Sequence, residues 1–444
     1  MRTILTSYIT VIFLGTILLY LPLSQNPESI RASLSDCAFT ATSAVCVTGL
    51  LTVPIITQWS TFGHLVILFL IQLGALSVIT ITGFVIIATG HKLSIKNRLL
   101  LQNNLGHPHM GGILSMTKNM ITGTVICEAV GTLLLTIYFI VVEKMSFVKS
   151  VYFAFFHAVS SFCDAGFDIL SETGIQDYTG DIFINFIIIA LIFTGGIGFL
   201  ILGDVASRLR KKTRRLSLNT KLALVTTAIL ILIGTVYFFA IEYSNPNTLG
   251  RLTVGEKLLA SLFQAVSLGT AGFAPINQQS LREASKFVSA LYMIIGGSPG
   301  GMAGGIKTVT VAVIFCSIWS VIRDRDEIEV FNRSIPFKSL QKALGLAGIM
   351  FILLIIFTTL LCIAEENSAY PHTFTDILYE CASALGTVGM TIGITPHLTP
   401  IGKGIMIISM LTGRVGPTTI IYALTKAPKH ETHTKYPKED VFIG

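Results

Sequence analysis

Four short runs, each ending on a glycine, are the residues in this chain with a shared capacity for chemistry. They read Val45-Cys46-Val47-Thr48-Gly49, Phe162-Cys163-Asp164-Ala165-Gly166, Leu268-Gly269-Thr270-Ala271-Gly272 and Leu385-Gly386-Thr387-Val388-Gly389. Each glycine is followed by an apolar residue, and the glycines lie 117, 106 and 117 residues apart. The side chains have no nucleophile, acid or base in common, so what the runs share is backbone. Carbonyl oxygens that converge from several loops can replace the hydration shell of a cation. Glycine lets adjacent residues alternate in handedness, which turns consecutive carbonyls to one side. A single such loop is better explained by helix packing, since membrane helices are rich in glycine. Four loops in register reverse that reading.

The elements that must position these loops follow from composition. The chain has 444 residues, 52% hydrophobic and only 12% charged; that charged share is about half of what covers an average soluble domain. A spanning helix needs about 20 mainly apolar residues. Eight stretches qualify: 4–22, 62–89, 116–142, 181–203, 219–242, 287–321, 340–363 and 401–425. Between the members of each successive pair lies a segment too short and too broken by Gly, Ser and Thr to span, at 32–52, 149–168, 254–275 and 374–394. The expected fold is therefore an all-α membrane protein of four pseudo-symmetric helix, re-entrant pore loop, helix repeats around a central pore. The repeats occupy 1–89, 116–203, 219–321 and 340–425, with a cytoplasmic tail at 426–444. Thr253-Val254-Gly255-Glu256 reads as a capping box that starts the third short helix.

The net charge of +7 resides in short segments, His91 to Lys118, Arg208 to Lys221, Arg323 to Lys342 and Lys426 to Lys438, without the interleaved aromatics that stack bases. Nucleic acid is not the implied partner. All four basic clusters fall after the second helix of a repeat, which places them and both termini in the cytoplasm and the re-entrant loops outside. Two spans per repeat make the repeats parallel. The run Arg208 to Arg215 could also hold anionic lipid. Seven cysteines, mostly within apolar runs and without metal-ligand spacing, give no disulfide framework.

The second helix of the third repeat is interrupted at 296–308 by Gly296, Gly297, Gly300, Gly301, Gly304 and Gly305 together with Pro299. Such a stretch cannot propagate a helix, each Gly costing about 1 kcal/mol and Pro about 3 relative to Ala. A break at mid-membrane must line water or close it off. The phosphate-loop reading fails because Ile306 separates Gly305 from Lys307. Lys307 would anchor the segment or repel cations. Arg414, in the last span, must face water or a partner, which makes it either an electrostatic barrier, the favoured reading, or one half of a carboxylate pair. Glu128 is expected to bond to a neighbouring helix, and His157 to be packed or capping. Asp164 stands where the other runs have Val47, Thr270 and Thr387. Its carboxylate either concentrates cations or, the reading favoured here, bonds backbone amides behind the loop. No paired catalytic carboxylates or metalloprotease motif argue for an enzyme.

These four runs, with one glycine per repeat, resemble the Ktr/Trk/HKT superfamily of potassium transporters, most of all the bacterial KtrB-type subunit, over Leu5 to about Lys426. The resemblance implies that the runs form a selectivity filter for potassium, since the sodium-preferring plant members carry Ser where this chain has Gly49. It implies that 296–308 is an intramembrane gate beneath the filter, with Arg414 near the constriction. It further implies channel-like potassium uptake across the bacterial cell membrane by a homodimer worked by a separate, KtrA-like ring of nucleotide-binding subunits. No covalent cofactor is implied, and a sodium requirement is left open. The alternative is an ion-coupled secondary transporter with alternating access. That class commonly uses inverted repeats with broken helices, whereas here the repeats read as parallel and only one span as broken.

Overall fold

The computed structural model describes residues 2–76, 113–171, 173–211, 215–269, 271–368 and 370–416. Thr270, the tail at 426–444, most of the basic run from His91, and the ends of the spans 62–89 and 401–425 lie outside the described residues. Helix dominates. In chain order the helices are α1 (Arg2–Tyr20), α2 (Leu34–Cys46), α3 (Thr61–Leu76), α4 (Ile113–Val141), α5 (Phe147–Phe162), α6 (Ile182–Ile197) and α7 (Phe199–Leu209). They continue with α8 (Leu218–Glu242), α9 (Val254–Leu268), α10 (Glu283–Ile294), α11 (Thr308–Ile322), α12 (Phe337–Glu365), α13 (Phe374–Gly386) and α14 (Pro400–Val415). A small antiparallel hairpin, β1 (Ile328–Val330) and β2 (Arg333–Ile335), joins α11 to α12.

Four of these helices are short and lead directly into the glycine runs: α2, α5, α9 and α13. In α2, α9 and α13 the start is set by side chains that satisfy the free amides of the first turn. Ser33 accepts from the amide of Asp36, and capping boxes form between Thr253 and Glu256 and between Thr373 and Asp376. Three of them stop in the same way. Val47, Asp164 and Thr387 adopt left-handed backbone, with φ of 55°, 58° and 53°. The next amide then folds back on the carbonyl five residues earlier, Thr48 to Ser43 at 2.8 Å, Ala165 to Ser160 at 2.8 Å and Val388 to Ser383 at 2.9 Å. This is the Schellman type of helix end, which normally calls for glycine or asparagine.

Each short helix packs between the helix before it and the helix after it, and also against the second helix of a neighbouring repeat. These cross-contacts run α5 on α3, α9 on α6, α13 on α10 and α2 on α14, so they close on themselves. Two of them carry ion pairs shielded from water: Lys403 to Asp36 at 2.7 Å on α14 and α2, and Lys286 to Asp376 at 2.9 Å on α10 and α13. Removing one partner of such a pair strands a desolvated charge. Outward-facing Val125, Leu133, Ile229, Ile233, Ile352 and Ile355 are exposed, as a surface solvated by lipid requires. Among the described residues, α4, α8 and α12 are long and apolar enough to cross a membrane, and α6 with α7 passes as a fourth but bent by 98°.

That bend corrects the expectation of a single broken span. The stretch 181–203 breaks at Gly198 (φ +87°), and 287–321 is two helices flanking the glycine-rich segment. The two breaks meet. Ser298 N donates to Gly196 O at 3.0 Å, Met302 N to Gly195 O at 3.3 Å and Phe199 N to Gly300 O at 3.3 Å. The backbone groups freed by one interruption are thus satisfied by the other, which is how non-helical backbone survives at membrane depth. A Cβ on Gly198 would lie 2.5 Å from Gly301 N and 2.6 Å from Gly300 C, whereas one on Gly203 in α7 would meet nothing within 4 Å. Gly198→Ala is therefore expected to lower the melting temperature of the purified protein by several degrees. Gly203→Ala, on an exposed helix face, is expected to raise it slightly, a gain of about 0.5–1 kcal/mol.

Candidate functional site

The four glycines close into a ring. A Cβ on Gly49 would fall 2.5 Å from the carbonyl oxygen of Ala165, and one on Gly166 2.7 Å from that of Ala271. One on Gly272 would strike the oxygen of Val388, and one on Gly389 that of Thr48. Every glycine thus abuts the carbonyl of the residue preceding the next glycine, and the fourth returns to the first. All four glycines have positive φ, between 68° and 99°. No L side chain fits that conformation and that approach together. The flanking side chains point away into the core: Val45, Cys46, Val47, Thr48, Phe162, Cys163, Ala165, Leu268, Ala271, Leu385, Thr387 and Val388 are 0–1% exposed. Gly269 caps α9 in helical backbone, and Gly386 ends α13.

On the side of the residues that follow the glycines lies an open cavity of about 320 Å³, lined by all four of them with Asp168, Gln176, Asn277 and Thr391 among others. At its rim, side-chain hydrogen bonds from Ser171 and Thr173 hold the Asp177 carboxyl below the usual carboxylate range. His157 is buried beneath this wall, with Nδ1 2.7 Å from Phe153 O and Nε2 3.0 Å from Asp168 Oδ1. It packs and orients, as its place in a short helix implies.

Serines brace the loops, a feature the sequence reading passed over. Ser43 Oγ and Ser383 Oγ accept from the amides of Gly49 and Gly389, each at 3.0 Å. Ser160 Oγ accepts from Phe167 N at 2.9 Å and donates to Phe167 O at 2.7 Å, and Ser267 Oγ donates to Phe273 O at 2.6 Å. The signal was present: serine stands six residues ahead of the glycine in three runs and five ahead in the other. Gly74, Gly195 and Gly413 were missed as well. Each lets a following helix touch the carbonyl of the first residue of a run, Val45, Phe162 or Leu385, the close backbone approach that small residues allow in membranes.

On the opposite side of the ring sits the glycine-rich segment. Its neck is closed by Gly296 N to Ile306 O and Ile306 N to Ile294 O, both 2.9 Å, making a compact loop whose ends lie together. Gly304 abuts the Thr387 hydroxyl and the Gly386 carbonyl, beneath the fourth run. The glycines at 296, 297 and 301 serve close approach here, since a Cβ on any of them would overlap backbone oxygen or nitrogen atoms within the loop or on α6. Lys307 Nζ donates to Ala303 O at 2.6 Å, which favours anchoring of the loop. The Arg414 guanidinium donates to Met302 O in the loop and to Gly74 O at 2.7 Å and Ala75 O at 3.3 Å on α3. Its partners are carbonyls rather than the expected alternative of a carboxylate. Asp164 is buried, and both it and Arg414 lie within electrostatic reach of Lys307. Glu128 does bond to a neighbouring helix, accepting from Gln72 Nε2 at 3.0 Å.

Residues 2–435 match the family model described as "Cation transport protein", TrkH. The chain is 37% identical over 433 residues to the Ktr system potassium uptake protein B of Bacillus subtilis, covering 98% of this chain and 94% of that protein. It is 33% identical over 443 residues to the protein of the same name from Vibrio alginolyticus, covering 100% and 94%. To the potassium/sodium uptake protein NtpJ of Enterococcus hirae it is 34% identical over 441 residues, covering 98% and 95%. The fold matches the crystal structure of the potassium transporter TrkH from Vibrio parahaemolyticus with a TM-score of 0.72 at 15% identity, over 95% of this chain and 85% of that one. The apolar helical fold, the closed ring of glycine-to-carbonyl contacts and these full-length similarities agree: the chain belongs to the TrkH/Ktr family of cation transport proteins, a family of membrane transporters.

Proposed function

We propose that this protein is the pore-forming subunit of a Ktr-type potassium uptake system, with the four glycine runs as its selectivity filter. The closed ring of glycine-to-carbonyl contacts is the observation that carries this reading. A hydrated cation enters the cavity on the outer side, drawn by Asp168 and Asp177. It exchanges water for the carbonyl oxygens of Thr48, Ala165, Ala271 and Val388 and of the residues before them. The short helices end near the axis, and their C-terminal dipole ends favour a cation below the ring. The names of the Bacillus and Vibrio relatives support potassium as cargo. The name of the Enterococcus relative keeps sodium as a second cargo or requirement.

The segment 296–308, held by Arg414 and Lys307, is the gate. Two fixed cationic groups below the ring oppose a permeating cation, and opening requires the Met302 to Arg414 contact to part. Two relatives are named as parts of a Ktr system, which supports a partner subunit; with it go the control by a separate nucleotide-binding ring and the homodimeric assembly that the family resemblance implies. The protein would lie in the bacterial plasma membrane with both termini cytoplasmic, in contact with lipid. An ion-coupled carrier is the second reading, and the pair of broken helices that meet at 195–198 and 296–302 favours it, since carriers use such breaks at the midplane.

Flux from proteoliposomes down imposed potassium and sodium gradients separates these readings. Gly49→Ser, which forces a side chain against Ala165 O, should cut the potassium-over-sodium flux ratio at least tenfold. An unchanged ratio, or flux that needs a counter-transported ion, would bring the carrier to the front. Arg414→Ala should raise basal potassium flux severalfold in protein that remains monodisperse, because it releases Met302 and removes a charge. Reduced flux with intact folding would refute the gating role.

A further inference from the structure

The Glu128 carboxylate has no part in the ion path or the gate proposed above, yet it sits directly behind the ring. Glu128 projects from the middle of α4 and is 7% exposed. Gln72 Nε2 of α3 donates to both of its oxygens, at 3.0 and 3.3 Å. The other end of the same amide, Gln72 Oε1, accepts from Cys163 Sγ at 3.3 Å, and that thiol also lies 3.7 Å from Glu128 Oε1. Three residues from three elements thus close a small polar triangle within apolar core. Its third corner, Cys163, belongs to the second run of the ring and is fully buried.

Glu128 also has a second face. Together with Val125, Thr132, Phe147, Val151 and Phe155 it lines a groove of about 640 Å³ between α4 and α5. The groove's rim is of lipid-facing residues: Val125, Phe147 and Phe155 are 57%, 69% and 45% exposed. Glu128 and Thr132 are one turn apart on α4, so the groove's polar wall rises from the carboxylate itself. By contrast, Glu242, Glu365 and Glu380 are buried to 0–1% exposure.

We propose that Glu128 is a positioning residue for the ion path, fixing the Cys163 corner of the second run through Gln72, and that it is a site of covalent modification reached from the lipid phase. The proposal rests on the filter reading above for its effect on ions, but not for its chemistry. An intramembrane carboxyl is costly unless it has work to do. Here its work is to hold the Gln72 amide in one orientation, so that the amide oxygen faces Cys163. Without Glu128 a buried donor is stranded, and the amide is free to turn over. A lipophilic carbodiimide entering the groove adds to the protonated carboxyl. The carboxyl oxygen bonds to the central carbon, the proton moves to one nitrogen, and acyl migration to nitrogen gives a stable N-acylurea with nothing released.

The test uses the full chain in proteoliposomes. Dicyclohexylcarbodiimide should add the mass of one intact reagent to the Glu128 peptide of wild type and not to that of Glu128→Gln. Glu128→Ala should lower the potassium-over-sodium flux ratio at least threefold, and Glu128→Gln should retain most of it. Gln72→Leu should lower the ratio as much as Glu128→Ala does, and the double variant should be no worse than either, because the two act as one chain. An unlabelled Glu128, or an unchanged ratio in monodisperse Glu128→Ala and Gln72→Leu proteins, overturns the proposal. Should Gly49→Ser also leave the ratio unchanged, the filter reading fails and the positioning role with it, while the labelling still reports access through the groove.

Discussion

The contact on which the structure depends is a backbone one: an α-carbon without a side chain laid against a carbonyl oxygen, four times around an axis. Backbone polar groups in lipid must be satisfied, and the architecture divides that requirement in two. Amide groups of the loops turn outward, to the serine hydroxyls at Ser43, Ser160 and Ser383 and to the carbonyls that end the short helices. Carbonyl oxygens are thereby left for the axis. A side chain at any ring glycine would separate neighbouring runs, so the identity of four residues sets the distance between all four repeats.

The loop below the ring is held directly by the second and fourth repeats and, through Arg414, tied to the first. Gly195 and Gly196 of the second repeat accept its amides, Arg414 of the fourth donates to Met302, and the same guanidinium holds Gly74 and Ala75 of the first. Each neutral hydrogen bond contributes about 0.5–1.5 kcal/mol net and each charged one about 1.5–3. Release of the loop therefore costs several such bonds together, and a change in spacing between any two repeats is felt at the same point. Arg414 suits this task better than lysine would, because a planar guanidinium can serve acceptors on two elements at once.

Much of this was legible in the sequence. The four runs, the spans of α4, α8 and α12, the Thr253 capping box and the bond from Glu128 to another helix all follow from residue type and spacing. The bend at Gly198 did not, because 186–203 is almost wholly apolar and Gly195-Gly196-Ile197-Gly198 reads equally well as small-residue packing within one helix. What breaks the helix is a partner a hundred residues away, which hydropathy cannot register. The bracing serines were overlooked for another reason. A serine in an apolar helix is usually assigned to bonding its own preceding turn, and only the recurrence of its distance from the glycine marks these as different.

The third repeat departs from the others in ways that belong together. Its serine is one residue nearer the glycine, so Ser267 O accepts both Ala271 N at 2.8 Å and the glycine's own amide, Gly272 N, at 3.4 Å, where in the other repeats the five-residue return is made by the residue before the glycine. Its hydroxyl donates to a carbonyl instead of accepting the amide of the glycine or of the residue after it. Its second helix is the one opened by the glycine-rich loop. A ring of four similar loops has no direction of its own in which to close. Concentrating the asymmetry in one repeat supplies that direction, and leaves the other three to hold the ring while the third repeat carries the glycine-rich loop beneath it.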